Sequence, residues 1–276
     1  MQTIGVNSSF KRLAQMGYAA RGVVYLVIGG LALMAAFGEG GGSTDSRGAL
    51  LTILKQPFGE FLLGVLILGL IGYVIWRAVQ AIKDTDDHGT SAKGIAVRGG
   101  LLISSILHAS LAIWALYILF GAETPSSSPN ASTGSGGSSE QAQGLLSHDW
   151  GQAVLAIIGI AIIGAGVAHV YKGYTARFER YMAIPADKES WAQPVCRFGL
   201  IARGFVWFII GWFCIRSAMT ARAGEVKGLA EAMNSLRSTD FGPWLYAIAA
   251  AGLFAFGVYS VLEALYRRIN TQSMYS

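Results

Sequence analysis

The chain has 276 residues, of which 53% are hydrophobic and only 13% are charged, and its formal net charge is +5. Soluble domains average about 25% charged residues, so this composition excludes an ordinary soluble globular protein. The basic residues are not interleaved with aromatic ones, as a groove for single-stranded nucleic acid requires, so a nucleic-acid partner is excluded as well.

Six apolar windows follow one another along the chain. Each is close to the ~20 residues that an α-helix needs to cross the bilayer core. Helices are the only spanning elements expected, because lipid-exposed backbone has to satisfy its own hydrogen bonds. The sequence therefore predicts an all-α, polytopic membrane protein with six transmembrane helices. The windows cover residues 18–37, 61–79, 99–120, 153–171, 198–215 and 244–265, and the fifth is the weakest because Arg203 interrupts it.

One two-helix pattern is written three times. Arg21-Gly22 and Arg203-Gly204 enter the first helices of the first and third repeats, and Ser104 holds the matching place in the second. One helical hairpin cannot bury its own faces, so the three tandem hairpins are expected to pack as a pseudo-threefold bundle. The predicted divisions are a lead-in over residues 1–17 and repeats over residues 18–93, 94–195 and 196–276. The second helices open at Phe58-Gly59, Trp150-Gly151 and Phe241-Gly242.

The connector inside each hairpin carries a short apolar stretch at helical spacing, near residues 50–54, 142–146 and 226–236. We interpret these stretches as helices lying on the outer membrane surface, with a re-entrant arrangement as the alternative. The segment 123–140 is rich in Ser and Gly and is predicted to be a flexible outer loop.

Basic residues are distributed unevenly between the two sides of the predicted bundle. Twelve of the 21 Lys and Arg residues lie at the termini or between successive hairpins, three more (Arg21, Arg77 and Arg203) lie in the windows near the same ends of the helices, and six lie in the connectors within hairpins. The positive-inside rule then places both termini in the cytoplasm and the lead-in on the cytoplasmic side.

The helices carry repeated faces of small residues. In each first helix a polar residue is followed by an aromatic residue or histidine and then by two small residues, and Gly or Ala recurs in each second helix. Small residues let helices approach closely in lipid, so packing explains these faces better than a pore lining does.

Polar side chains collect at the predicted cytoplasmic ends of the helices. Such a cluster is suited to an anion or an anionic lipid headgroup. The alternative is charge that fixes topology, with long side chains reaching towards the surface and Glu263 paired with one arginine. If the cluster is functional, Arg21 and Arg203 should face the bundle interior. The candidates are Arg21, Arg77, His169, Arg203 and Glu263.

His108 lies ten residues after Arg98, about 15 Å along a helix, which places it near the membrane midplane. An ionisable group at that depth is a functional candidate by default, although a neutral histidine can also simply hydrogen-bond a neighbouring helix. A haem or metal shared by His108 and His169 is a minor alternative, because His169 lies nearer the cytoplasmic edge. We therefore expect neither a cofactor nor a metal.

The segment 17–25, Gly-Tyr-Ala-Ala-Arg-Gly-Val-Val-Tyr, returns in altered form as Leu-Ile-Ala-Arg-Gly-Phe-Val-Trp at 200–207, and Gln-Pro-Phe-Gly stands at 56–59. These motifs resemble the bacterial domain of unknown function 1206 family, whose members carry three tandem two-helix units. The resemblance covers nearly the whole chain, and the repeated Ala-Arg-Gly is its most specific part. The second repeat departs from it, since Ser104 replaces the arginine and His108 the aromatic residue. It implies a bacterial membrane protein and brings no activity, substrate or site.

Three functions fit these observations. The first is a channel or transporter for a small solute or ion in the bacterial cytoplasmic membrane, suggested by the repeats, His108 and the inner arginines. The second is a non-catalytic scaffold or accessory subunit that binds lipid or a larger membrane complex, suggested by the small-residue faces. The third and least favoured is a haem-bearing redox protein. No nucleophile, zinc or phosphate-binding motif is present, so we expect no enzyme.

Overall fold

The computed structural model describes residues 3–121 and 136–268. Over these residues the protein consists of α-helices without β-strands, and six of the helices are long and apolar enough to cross a membrane. The predicted all-α, polytopic class is confirmed. The six long helices are α1 (Thr3–Ala36), α3 (Gly59–Lys83), α4 (Ala92–Leu119), α6 (Gly151–Tyr174), α7 (Ala186–Thr220) and α9 (Gly242–Tyr266).

Three short helices occupy the connectors within the hairpins, as predicted: α2 (Ser46–Leu54), α5 (Gly136–Leu146) and α8 (Leu229–Arg237). Each is followed by the same tight turn into the next long helix. The turn brings the backbone so close to the end of the short helix that a Cβ would collide with a carbonyl group there, which explains the recurring glycine. The glycine N–H donates to a carbonyl oxygen three residues earlier, at 2.8 Å in each repeat: Gly59 to Gln56, Gly151 to His148 and Gly242 to Thr239.

Several predicted boundaries differ from the helices. Residues 136–140 belong to the first turns of α5 rather than to a loop, and residues 123–135 of that predicted loop lie outside the described residues. Gly and Ser cost little at a helix start, because the first N–H groups have no intrahelical partner. The lead-in is helical from Thr3, and the division at residue 196 falls inside α7. Hydropathy marks the lipid-facing part of a helix, whereas the hydrogen-bonded backbone continues beyond it.

The strongest packing between repeats follows one geometry. Gly22 of α1 packs against the Gly257 carbonyl of α9, and Gly204 of α7 packs against the Gly166 carbonyl of α6. In the second repeat Ser105 takes the glycine's place and donates to the Val74 carbonyl of α3 at 2.8 Å. These contacts occupy equivalent positions in the three repeats, so each first helix meets the second helix of a neighbouring repeat in the same way.

The helices form an open ring. In order around it lie α4, α3, α1, α9, α7 and α6, each packed on the next. The two ends of the ring, α4 and α6, are the two helices of the second hairpin, and they do not pack against each other to a comparable extent. The threefold pattern of the repeats therefore departs from symmetry at one place.

The second hairpin is open although it carries the residues that close the other two. Gly17 packs against the backbone of Tyr73 in the first hairpin, and Gly199 packs against that of Phe256 in the third. A Cβ on the equivalent Gly100 would have no heavy atom within 4 Å. Ile103 is 59% exposed, whereas its equivalents Ala20 and Ala202 are 4% and 8% exposed. We call this opening, lined by Gly100, Ile103, Ala161 and Gly164, the α4–α6 gap.

Candidate functional site

Arg21 is the centre of a buried hydrogen-bond network that joins three helices. Its guanidinium donates to the Tyr73 hydroxyl of α3 at 2.7 Å, and to Ser260 and Glu263 of α9 at 3.2 and 2.5 Å. The side chain is only 6% exposed, so the Glu263 carboxylate stabilises a cation that is removed from solvent.

The network extends from Glu263 towards the ends of α3 and α9. The second carboxylate oxygen of Glu263 accepts a hydrogen bond from Arg267 at 2.7 Å. Arg267 also pairs with Asp86 at 3.0 Å, and Gln80 donates to the same Asp86 oxygen at 2.8 Å. Asp86 therefore belongs to a largely buried ion-pair network.

Arg203 has the same sequence context as Arg21 but a different environment. Its guanidinium carbon lies 4.0, 4.7 and 5.1 Å from the ring centroids of Phe256, Tyr25 and Trp207. The side chain is buried, 9% exposed, and no group among the described residues accepts a hydrogen bond from its Nε. Since the three rings belong to α9, α1 and α7, the guanidinium points into the bundle.

The repeat pattern explains why Arg203 is unpaired. The positions of Tyr73, Ser260 and Glu263, which bind Arg21, correspond around Arg203 to one residue of its own repeat and two residues of the second repeat. There, a phenylalanine without a hydroxyl replaces the tyrosine, a histidine replaces the serine, and a lysine replaces the glutamate. Arg21 is paired with a carboxylate at the glutamate position. At the equivalent position beside Arg203 the chain has a second cation. The three replacements are Phe256, His169 and Lys172.

Lys172 and Arg77 add two further cations to this region. The Lys172 ammonium donates to the Tyr259 hydroxyl at 2.8 Å, and Arg77 donates to the Tyr73 hydroxyl at 2.8 Å and to Gln80 at 2.9 Å. Both side chains are half-buried. We call the set formed by these side chains the cationic cluster; its five cations and two carboxylates leave a net charge of +3. Its members are Arg21, Arg77, Lys172, Arg203, Arg267, Asp86 and Glu263.

His108 and His169 flank the interior from α4 and α6. Nδ1 of His108 lies 2.8 Å from the Ser104 carbonyl oxygen, and Nδ1 of His169 lies 2.9 Å from the Ala165 carbonyl oxygen. A carbonyl oxygen can only accept, so Nδ1 donates in both rings and Nε2 of each neutral ring remains an acceptor. The two imidazoles contact different rings, Tyr73 for His108 and Trp207 for His169.

The structure brings the six candidate residues to one region of the bundle. Arg21 and Glu263 are bonded directly, Arg77 joins them through Tyr73, and Arg203 shares the Phe256 ring with Arg21. Sequence reasoning missed Lys172, Arg267 and Asp86 as members of the cationic cluster, and it missed Tyr73 as the hydroxyl that links Arg21 to Arg77. The four-residue spacing of Glu263 and Arg267 on one helix face was a usable signal for one of them.

Comparison with known proteins fixes the relationship of the chain. A family model described as Domain of Unknown Function (DUF1206) matches three times, at residues 16–84, 99–176 and 198–267. The chain belongs to this family. An uncharacterised protein of Bacillus subtilis strain 168, YxxB, is 34% identical over 268 residues, which cover 94% of this chain and 92% of the relative. No solved structure matches.

The three DUF1206 matches coincide with the three predicted repeats, so the suspected family and its tandem organisation are confirmed. Each match spans one first helix and one second helix, and the turn glycines lie inside them. Neither the family description nor the relative's name states an activity. The function of this DUF1206 protein therefore has to be argued from its own cationic cluster.

Proposed function

We propose that this protein is a channel or transporter for small anions in a bacterial cytoplasmic membrane, with both termini in the cytoplasm. The observation that carries the proposal is Arg203, a buried guanidinium without a carboxylate partner among the described residues. The excess of basic residues on the side of the termini supports the orientation.

The energetics of burial favour an external anion at Arg203. Removing a cation from water costs several kcal/mol even after the protein relaxes. A desolvated cation–π contact returns about 2 kcal/mol, so the rings of Tyr25, Trp207 and Phe256 offset much of that cost, but among the described residues they leave the Nε–H of Arg203 without an acceptor. A bound anion would supply the charge-assisted hydrogen bonds that Arg21 receives from Glu263.

The cationic cluster as a whole also favours an anion over a cation. Its net charge of +3 raises the local concentration of anions and disfavours cations. Glu263 binds both Arg21 and Arg267, so this carboxylate is not available as a proton carrier for a proton-coupled transporter. Passive passage of an anion, or its exchange for another anion, is therefore the form of transport that we propose.

The test is anion uptake by vesicles that contain the full-length protein. The protein is reconstituted in phosphatidylcholine vesicles, and the uptake of chloride and of inorganic phosphate is measured separately. Loss of a hydrogen bond to a charged group costs about 1.5–3 kcal/mol, so Arg203→Gln should reduce uptake at least about tenfold. The matched control is Arg216→Gln, because Arg216 lies on the same helix but is half exposed and paired with Glu225.

Uptake that Arg203→Gln lowers and Arg216→Gln leaves unchanged would support the proposal. Equal uptake by wild type and Arg203→Gln would contradict the role of Arg203. Vesicles that take up neither probe anion would contradict transport itself.

A second function, a scaffold or accessory subunit, is favoured by one specific observation. The spanning windows of α4 and α6 are each only 17% buried, against 39–56% for the other four helices. A helix of another membrane protein could pack on these two through small residues. Stable co-purification of one membrane protein in mild detergent, together with an absence of anion uptake, would favour this function over transport.

We also propose that the protein is not an enzyme and carries no haem. His108 and His169 are held by different ring neighbours, and Glu263 is engaged by two arginines. A Soret band in the absorption spectrum of the purified protein would contradict the absence of haem.

A further inference from the structure

We propose that Arg203 also binds the phosphate of an anionic membrane lipid, which enters sideways through the α4–α6 gap and leaves its acyl chains there. The inference rests on the proposed function in one respect only, that Arg203 is the anion site. It does not require that an inorganic anion crosses the membrane.

The α4–α6 gap is present in one of the three hairpins. In the first hairpin Gly69 packs against Ala20, and in the third hairpin Gly252 packs against Ala202. The equivalent Ala161 of the second hairpin is exposed. A Cβ on Gly164 would have no heavy atom within 4 Å. The opening is therefore wide enough to leave small residues of both helices uncovered.

The bundle interior can be reached from the gap. Tyr25, His108 and Trp207 occupy the same position in the three repeats. Tyr25 and Trp207 lie beside the buried Arg203 guanidinium. All three side chains are nevertheless only half-buried, so space remains beside them. The gap is the interruption of the helix ring through which that space is reached.

The α4–α6 gap and the bundle interior behind it differ in their chemistry. The sides of the gap are apolar, with Ile103 59% exposed, and they belong to helices that are apolar enough to cross a membrane. The interior behind them holds the unpaired Arg203 and a net positive cluster. A molecule that matches both regions has an apolar chain and an anionic head. An anionic phospholipid has both, and it is abundant at the cytoplasmic leaflet of a membrane.

Two other candidate ligands match either Arg203 or the α4–α6 gap, but not both. A free inorganic anion would pair with Arg203 but would leave the apolar sides of the gap uncovered. An apolar helix from another protein would cover the gap but would supply no anion to Arg203. A lipid satisfies both, because the phosphate oxygens accept the guanidinium hydrogen bonds while the acyl chains pack against α4 and α6.

The test compares the lipids retained by the full-length protein and its variants. Each protein is purified in a mild non-ionic detergent, mixed with equal amounts of dioleoyl phosphatidylglycerol and dioleoyl phosphatidylcholine, and examined by native mass spectrometry. We expect wild type to retain phosphatidylglycerol about tenfold more than phosphatidylcholine, because both lipids carry a phosphate but the net positive cluster disfavours the choline cation. Arg203→Gln should abolish that preference.

The gap itself is tested by filling it. Gly100→Phe and Gly164→Phe together place two rings in the opening, and neither added Cβ meets an atom, so the fold should be kept. The matched control is Gly99→Phe, because Gly99 is the neighbouring residue on the same helix and also faces open space. We expect the double variant, but not the control, to retain about tenfold less phosphatidylglycerol. Equal melting temperatures of the three proteins show that folding is unaffected.

Three results would overturn the inference. The first is a phosphatidylglycerol preference in Arg203→Gln that equals that of wild type. The second is retention of phosphatidylglycerol by the gap-filling double variant that equals that of wild type. The third is displacement of bound phosphatidylglycerol by an equal concentration of inorganic phosphate, which would identify the ligand as a free anion. A co-purifying membrane protein that is lost from the gap-filling variant, with no lipid preference, would assign the gap to a partner helix instead.

The two proposals fail separately. Lipid retention that depends on Arg203, with no uptake of inorganic anions by vesicles, would refute the proposed transport of small anions and keep the lipid site. Arg203-dependent anion uptake without any lipid preference would do the reverse.

Discussion

Arg21 and Arg203 follow the same Ala-Arg-Gly context, yet one is paired and the other is not. The difference comes from the second helix that faces each arginine. Glu263 accepts from Arg21, while the equivalent position beside Arg203 is Lys172, whose ammonium turns to the Tyr259 hydroxyl. The charge of a residue on one repeat therefore decides the role of an arginine on the next.

Replacing Arg21 should destabilise the protein strongly. Arg21→Leu leaves Glu263 with Arg267 as its one remaining cationic partner in the described network, and breaking a buried ion pair from one side costs about 3–5 kcal/mol. We expect a large fall in melting temperature in detergent, measured by circular dichroism. Adding Glu263→Leu to Arg21→Leu should restore part of the lost melting temperature. The second substitution removes the buried carboxylate that has lost one of its two arginine partners. A melting temperature equal to that of wild type in Arg21→Leu would show that the pair is not stabilising.

Replacing Arg203 should have the opposite effect on stability. Arg203→Leu removes a buried cation whose Nε has no acceptor among the described residues, and it retains apolar contact with Tyr25 and Phe256. The melting temperature should stay unchanged or rise, since the desolvation cost of the charge disappears. The measurement is the same thermal unfolding in detergent, with Arg21→Leu as the comparison. A fall as large as that of Arg21→Leu would mean that Arg203 has a structural partner.

Small residues carry most of the information about which helices pack together. Gly69 and Gly252 lie at equivalent places, and each has an alanine methyl of its own hairpin directly above it. Gly164 has the same kind of sequence context and open space above it. Close helix approach thus requires small residues on both partners, but the presence of small residues does not ensure that the approach occurs.

This distinction predicts different tolerance to larger side chains. Gly252→Leu should destabilise the protein by about 1–3 kcal/mol, because overpacking a closed interface forces the helices apart. Gly164→Leu should leave stability close to that of wild type, since its Cβ meets nothing. Melting temperatures of the two variants in the same detergent check this. Equal losses in both variants would mean that α4 and α6 pack together in solution.

The turn between α3 and α4 contributes a stability that depends on pH. Asp84 ends α3 with φ +48°, and its carboxylate accepts from the backbone N–H groups of His88 and Gly89 at 2.9 and 2.7 Å. These hydrogen bonds hold the pKa of Asp84 below its ordinary value. A carboxyl group with a lowered folded-state pKa stabilises the fold above its unfolded pKa, and that stability is lost as pH falls through the folded-state pKa.

Replacing Asp84 by asparagine should reveal this contribution. Asn tolerates a positive φ, so Asp84→Asn changes the charge rather than the backbone. We expect it to cost up to about 1 kcal/mol at pH 7. The difference from wild type should shrink as the pH falls from the ordinary aspartate pKa of about 4 through the lowered folded-state pKa, where Asp84 itself becomes protonated. Melting temperatures measured at pH 7 and pH 3 test the sign, and an equal difference at both values would contradict it.

The whole molecule is organised by three hairpins that enter the membrane from the same side. Single cysteines at the exposed Glu39 and Thr90 positions report on opposite ends of the bundle. A membrane-impermeant maleimide should label Glu39→Cys in intact cells and Thr90→Cys only after lysis. The native Cys196 and Cys214 are both buried and serve as the unlabelled background. Labelling of Thr90→Cys in intact cells would refute the proposed orientation.

Much of the fold could be predicted from the sequence because its signals are local. Six apolar windows report the cost of exposing polar backbone to lipid, and the repeated Arg-Gly and aromatic-Gly pairs mark where helices begin. These signals also determined the family and most of the candidate residues. Local signals did not predict the pair of Asp86 and Arg267, because these residues are 181 positions apart in the sequence.

Only the tertiary structure decided which faces are in contact and which charges are paired. The second hairpin has the small residues of a closed hairpin, yet Gly100 and Gly164 have no neighbour within 4 Å of a Cβ. Whether such faces meet depends on the combined packing of all six helices, which local composition does not encode. Likewise, Arg203 differs from Arg21 through the residues that surround it in space rather than through its own sequence context.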